Sequence, residues 1–266
     1  MNLETAQLIY FSPTGTTKSV VRAIADGFEG VGGTNEIDLT RPALTPCVRL
    51  GRHDLAVIGA PVYAGRIPEI AASRLTEING DGTPAVIVAV YGNRAFEDAL
   101  VELRDIVGAQ GFKVVAAGAF IGEHSFSTDE LTIAAGRPDS EDLEKARDFG
   151  YSIVESLASS VEGHTREIDV PGHFPYRDGM ENLPFTPVVD HDICNQCAEC
   201  VENCPVEAIT LDDKIIMSTA TCILCASCVK CCPEKAVSIK SPPIGELMVA
   251  LSEECRDRKE PELFLL

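Results

Sequence analysis

Nine of the eleven cysteines lie between Cys194 and Cys232, and their spacing is the strongest chemical signal in the 266 residues. Cys194, Cys197, Cys200 and Cys204 form a C-x2-C-x2-C-x3-C run closed by Pro205, and Cys222, Cys225, Cys228 and Cys232 form a second run closed by Pro233. Two-residue gaps let three thiolates of one tight loop face three corners of an iron–sulfur cubane, while the fourth, held at the turn before the proline, ligates the other cluster. The expected ligand sets are Cys194, Cys197, Cys200 and Cys232 for one 4Fe–4S cluster, and Cys222, Cys225, Cys228 and Cys204 for the other. Zinc also binds C-x-x-C pairs, but a zinc tetrahedron suits neither the third cysteine of each triplet nor the cross-over.

The two runs are copies of one unit. All four cysteine pairs are 28 residues apart, and the register continues through Pro205/Pro233, Ala208/Ala236 and Ile209/Val237, which is repetition of a structural unit rather than a chance cluster of thiols. Cys231 stands where the first copy has Asn203 and is expected to be a spare thiol, the proline and the register both favouring Cys232 as ligand. Cys47 and Cys255 read as structural or surface cysteines.

A second chemistry lies near the beginning. Ser12-Pro13-Thr14-Gly15-Thr16-Thr17 joins an apolar run to a helical pattern. Small hydroxyl residues around a glycine let backbone N–H groups curl about a phosphate at a helix N-terminus. No G-K-[ST] follows, so this is not a nucleoside-triphosphate loop, and Gly30, Gly32 and Gly33 follow a helix rather than a strand, which makes them a cap and not a dinucleotide fingerprint. An ordinary N-capped turn would look similar taken alone. Two further loops, Pro61-Val62-Tyr63-Ala64-Gly65-Arg66 and Tyr91-Gly92-Asn93-Arg94, each set an aromatic ring beside a glycine, offering a stacking surface and free backbone donors to a heterocycle.

The elements that must position these groups alternate. Ala6–Phe11, Asn35–Leu39, Asp54–Ala60, Ala85–Tyr91 and Lys113–Phe120 read as strands, and Thr17–Phe28, Pro68–Ile78, Ala95–Gln110 and Ser140–Ser159 as helices. Near-continuous apolar strands alternating with helices predict a five-stranded, doubly wound parallel sheet over residues 1–160, with ligands at the strand carboxyl ends, where all three loops lie. Residues 161–187, rich in proline and glycine, read as a linker that packs through Phe174, Tyr176 and Phe185. Residues 188–243 form the small cysteine-rich α+β domain, and 244–266 a polar tail with a helix around Gly245–Cys255.

With these motifs in this order, residues 5–240 resemble the flavodoxin–ferredoxin fusion proteins of anaerobic microbes. The first loop looks like the FMN phosphate loop of flavodoxins, and the other two look like their isoalloxazine loops. The resemblance implies non-covalent FMN held by Ser12, Thr14, Gly15, Thr16, Thr17, Pro61–Arg66 and Tyr91–Arg94, two 4Fe–4S clusters, and electron-carrier activity. His124, in Gly122–Ser127 after the fifth strand, is a candidate proton donor to flavin or substrate, against the plainer reading of a solvated loop histidine. Arg66 and Arg94 are candidate partners for reduced flavin, against surface ion pairing.

The net charge of −19 excludes further classes. No region is basic, the balance being −9 over 1–160, −3 over 161–187, −4 over 188–243 and −3 over 244–266, so nucleic acid and anionic membranes are not expected partners. A soluble redox protein with a basic docking patch is. The longest apolar run, Ala85–Tyr91, is too short to span a bilayer, and Met1–Tyr10 lacks the layout of a secretory signal, which places the expected protein in the cytoplasm. Electron transfer between FMN, two clusters and outside partners is the leading expectation. An FMN and iron–sulfur oxidoreductase acting on a small acceptor such as a quinone, with Gly122–Arg137 as a lid, is the alternative, and a module with purely structural clusters a third.

Overall fold

A computed structural model describes residues 3–42, 48–159, 168–180 and 184–265; Cys47 and parts of the 161–187 stretch lie outside them. The chain runs β1 (Thr5–Tyr10), α1 (Thr16–Ala25), β2 (Thr34–Asp38), β3 (Val48–Leu50), β4 (Asp54–Pro61), α2 (Glu69–Leu75), β5 (Ile78–Gly80), β6 (Thr83–Tyr91), α3 (Ala99–Ala109), β7 (Phe112–Ile121) and α4 (Ser140–Ser159). It continues with β8 (Val188–Val189), α5 (Glu199–Glu202), β9 (Ile209–Leu211), β10 (Ile215–Met217), α6 (Ser227–Cys231), β11 (Val237–Ser238), α7 (Pro242–Glu254) and β12 (Glu262–Leu265).

The five strands expected from the apolar runs form the main sheet, all parallel, in the order β2-β1-β4-β6-β7. In chain order of those five strands this is 2-1-3-4-5, the flavodoxin-like arrangement. Alternation along each strand feeds two cores. Ile9, Ile58, Ile87 and Ala89 point to the face covered by α2 and α3, while Leu8, Tyr10, Val57 and Val88 point to the face covered by α1 and α4. Glycines let the second layer close: a Cβ on Gly150 would sit 2.0 Å from Ile24 O, and one on Gly27 would sit 2.1 Å from Arg147 O. Helix α2 is shorter than the predicted Pro68–Ile78, because Ile78 leaves it to start β5, which pairs with β3.

Two differences from the sequence reading concern the later segments. Residues 244–266, read as a polar tail with a helix around Gly245–Cys255, do supply most of α7, but they also add a sixth strand, β12, which pairs antiparallel with β7. The physical reason is that β7 is otherwise an edge, and Glu262–Leu265 offers a short extended run to cover it. In the linker, Ile168 and Val170 are buried and Tyr176 Oη donates to Asp105 Oδ2 at 2.7 Å, but Phe174 stands 79% exposed.

The cysteine-rich region has little regular structure. β8 pairs with β11, β9 with β10, and α5 and α6 are single turns. Its backbone nonetheless repeats. Positive φ angles occur at Gln196 and Leu224 (58° and 51°), Ala198 and Ala226 (63° and 59°), and Glu207 and Lys235 (54° and 51°), each pair in the 28-residue register. Among the described residues no helix is long and apolar enough to cross a membrane.

Candidate functional site

At the carboxyl ends of β1, β4, β6 and β7 the structure has a cavity of about 420 Å³, within the usual range of small-molecule sites, roughly 300–1,000 Å³. All three loops singled out in the sequence reach it: Ser12, Thr14, Thr16 and Thr17 from the first, Pro61–Ala64 from the second, Gly92 and Arg94 from the third. The turn into α1 is made by Gly15, whose φ of 86° is the left-handed conformation glycine adopts freely. Ser12 Oγ accepts from Lys18 N at 3.0 Å, which fixes the loop. The remaining first-turn amides have no partner inside the helix. Thr17 Oγ1 is buried without a hydrogen-bond partner and lines the cavity. An orphaned hydroxyl beside a helix N-terminus is what an anionic group, such as a phosphate, would satisfy.

Other expected site residues serve the loops rather than the cavity. Arg66 does not line it: its guanidinium makes a two-pronged pair with the buried Glu102 at 2.8 and 2.7 Å and lies 4.7 Å from the ring centroid of Tyr176. A carboxylate buried on α3 draws the charge away from where reduced flavin would sit. Gly65, with a φ of 82°, shapes the turn; a Cβ there would overlap Glu97. Asn93 is 2% exposed, and its Nδ2 donates at 2.8 Å to both Cys255 O and Asp257 O. Asn93 therefore clamps the segment after α7. Arg94 does line the cavity and pairs with Glu97 at 2.8 Å.

His124 faces the cavity, packed over Gly92, where a Cβ would meet its ring at 2.3 Å. Burial, then the charges of Arg94 and Lys230, pull its pKa down to about 4. Phe126 N donates to Nδ1 at 3.0 Å, so the neutral ring carries its hydrogen on Nε2. This makes His124 a neutral hydrogen-bond donor near neutral pH, and its burial sets it apart from the solvated loop histidine of the plainer sequence reading. The surrounding loop is tied down at several points. Glu123 N donates to Arg137 O at 2.7 Å and Ile133 N to Ser127 Oγ at 3.1 Å, Lys230 pairs with Glu123, and Arg137 pairs with the fully buried Asp142.

Sequence reasoning missed the far wall. Ile244, Leu247 and Leu251 of α7, with Met180 and Leu224, close the cavity from outside the sheet domain. The signal was present in the spacing Ile244, Leu247, Leu251, one face of an amphipathic helix.

The eight motif cysteines fall into two groups. Cys194, Cys197, Cys200 and Cys232 line one pocket, and Cys204, Cys222, Cys225 and Cys228 line another. Matching backbone donors reach the crossing thiols: Ala208 N to Cys204 Sγ at 3.2 Å and Ala236 N to Cys232 Sγ at 3.3 Å. Burial pushes the Cys225 thiol up to about 12 and that of Cys228 higher still, so metal loading there must displace protons. Cys231 lines neither pocket; burial pushes its thiol up to about 11. Cys255 is buried against Ile133 and Leu251. Among the described residues no three His, Cys, Asp or Glu side chains converge as they would on one metal ion.

Residues 186–209 match a family described as a 4Fe–4S binding domain. Comparison with curated proteins gives no match. Among solved structures, an archaeal flavodoxin is 16% identical over 58% of this chain and 99% of that one, with a TM-score of 0.39. Fusobacterium nucleatum flavodoxin bound to flavin mononucleotide is 17% identical over 59% and 98%, with a TM-score of 0.37. Rubredoxin oxygen:oxidoreductase from the anaerobe Desulfovibrio gigas is 14% identical with a TM-score of 0.41, and this chain, over 59% of its length, spans 37% of that protein. By its own strand order and the matched segment, the chain joins a flavodoxin-like fold to a ferredoxin-like, cysteine-rich region.

Proposed function

We propose that this protein transfers electrons between FMN in the strand-end cavity and two 4Fe–4S clusters held by the crossed cysteine sets, and exchanges them with soluble redox partners in the cytoplasm. The observation carrying the reading is that each crossed set of four thiols surrounds its own pocket, with the cavity carrying an unsatisfied hydroxyl at a helix N-terminus close by. When bound, FMN supplies a centre that takes two electrons and gives them up singly, and each cubane a centre that carries one.

The chain's own residues have definable work. The Ser12–Thr17 loop and Thr17 Oγ1 would hold the phosphate. Tyr63 and Tyr91 would border the ring system, and His124 would donate from Nε2 to a ring acceptor while adding no charge. Ile244 and Leu251, both buried, cover the apolar side of the cavity. The acidic surface favours partners with a basic patch.

Anaerobic purification followed by iron, sulfide and flavin analysis with EPR tests the reading. It requires yellow-brown protein with one FMN and two cubanes; colourless or zinc-loaded protein ends it. A second reading, reduction of a small apolar acceptor such as a quinone, is favoured by the exposed Leu247 (45%) and Met180 (36%) at the cavity rim. Turnover with quinones that is unchanged in His124→Ala removes His124 from that chemistry.

A further inference from the structure

The two cysteine sets are not equivalent in how they meet the cavity. No residue lining the pocket of Cys194, Cys197, Cys200 and Cys232 lines the cavity or the groove that adjoins it, and Cys197 is exposed to solvent. The other set abuts it. Leu224, between Cys222 and Cys225 in the chain, is itself part of the cavity wall beside Tyr63, and the same two residues line an adjoining groove with Cys222 and Ile223.

Two side chains fasten this inner set to the phosphate loop. Ser227, between Cys225 and Cys228, is 4% exposed, and its Oγ lies 2.8 Å from Pro13 O and 3.1 Å from Asn203 O. Arg74 on α2 donates to Leu39 O at 2.9 Å, Thr40 O at 2.7 Å and Pro205 O at 2.7 Å. Thr40 Oγ1 in turn accepts from Ser12 N at 2.8 Å. The phosphate loop and the Cys204-Pro205 turn therefore hang on one guanidinium. Its donors go to backbone carbonyls, and no described carboxylate lies within ion-pair distance of it. A cationic group spending its donors this way is suited to holding positions.

We propose that the set Cys204, Cys222, Cys225 and Cys228 is the inner relay to the cavity, that the set around Cys197 is where electrons arrive from outside, and that Arg74 and Ser227 are positioning residues that fix the inner set against the flavin. This rests on the reading that the sets hold clusters and the cavity holds FMN. The set around Cys197 would hold the centre that receives single electrons from a low-potential donor protein, and the set around Cys225 the centre that hands them to the flavin, so that two electrons from two donor molecules, with protons taken from solvent, would reduce the flavin fully and leave both cubanes oxidised.

The test uses anaerobically purified full-length protein with flavin and iron contents measured for every variant. Power saturation of the paramagnetic flavin signal in partly reduced samples reports how near the closest reduced cluster lies. Fast relaxation is expected in the native protein, retained in Cys197→Ser and lost in Cys225→Ser. The opposite pattern, or slow relaxation in fully loaded native protein, overturns the order of the relay. Arg74→Gln and Ser227→Ala, at full loading, are expected to weaken the coupling and slow flavin–cluster exchange on the order of tenfold, the scale on which small misplacements of reacting groups act. Native coupling in both removes the positioning role. Ser227→Ala removes a single oxygen and carries the test alone if Arg74→Gln does not load. Native protein lacking flavin or iron would instead overturn the proposed function, which the content analysis reads separately.

Discussion

Thr17 and His124 are buried polar groups whose environments make opposite demands. The Thr17 hydroxyl is 1% exposed and has no partner, so it contributes nothing favourable to the flavin-free fold. Thr17→Val is expected to leave the melting temperature of flavin-free protein unchanged or slightly higher, while weakening FMN binding about tenfold, the equivalent of losing one hydrogen bond to a charged group. Fluorescence titration alongside thermal melts checks this, and an unchanged dissociation constant would place the phosphate elsewhere. For His124 the folded pKa, about 4, lies below the ordinary 6.5. The unfolded chain therefore takes up its proton first as pH falls, and stability drains away between pH 6.5 and about 4 by at most ~1.4 kcal/mol per pH unit. Urea midpoints at pH 7 and pH 5 should move apart in native protein and draw together in His124→Gln.

At the scale of elements, the C-terminal segment does what its composition conceals. Its helix walls the cavity, and its strand covers β7. Between them Asn93 holds Cys255 O and Asp257 O, and Arg137, already paired with Asp142, donates to Lys259 O at 2.8 Å. Truncation after Glu254 removes β12 and the partners of Asn93, and is expected to speed FMN dissociation while exposing the edge of β7 to self-association. Dissociation kinetics and light scattering read the two effects, and native values for both would make the segment dispensable. This segment also marks where the sequence stops being legible. The five parallel strands and the eight thiols announce themselves, since period-two burial and fixed cysteine spacing are local patterns. A four-residue strand such as Glu262–Leu265 has no pattern of its own, and its place depends on an edge more than a hundred residues earlier. Arg74 was invisible for a similar reason: its three carbonyl partners are on loops distant in sequence, whereas Arg66, which the sequence did single out, is drawn off by Glu102.

Across the whole molecule, the two halves differ in what holds them up. The sheet half has two apolar cores of its own, one on each face. The cysteine-rich half has one small cluster of its own, in which Cys200, Cys204 and Cys228 themselves stand beside Ala208, Ile209, Ile215 and Val237, and its paired strands are two or three residues long. A unit of this size buries too little surface to offset its chain entropy without metal or a partner. The links across the boundary include Ser227 to Pro13, Arg74 to Pro205, Lys230 to Glu123, and a largely exposed Lys235–Asp129 pair of little energetic weight. They position the smaller half, and the buried Leu224, Ile244 and Met248, packed with Phe126 and Leu131 of the sheet half, add only a small shared apolar cluster. Oxidative removal of iron with a chelator is therefore expected to abolish amide-exchange protection across residues 188–239 while β1, β4, β6 and β7 stay protected. FMN affinity should fall only modestly under the same treatment, because the phosphate loop belongs to the stable half and the lost wall is chiefly Leu224. Hydrogen exchange resolved along the chain distinguishes this from a single cooperative unit, in which the sheet would lose its protection together with the clusters and the flavin would leave with the iron.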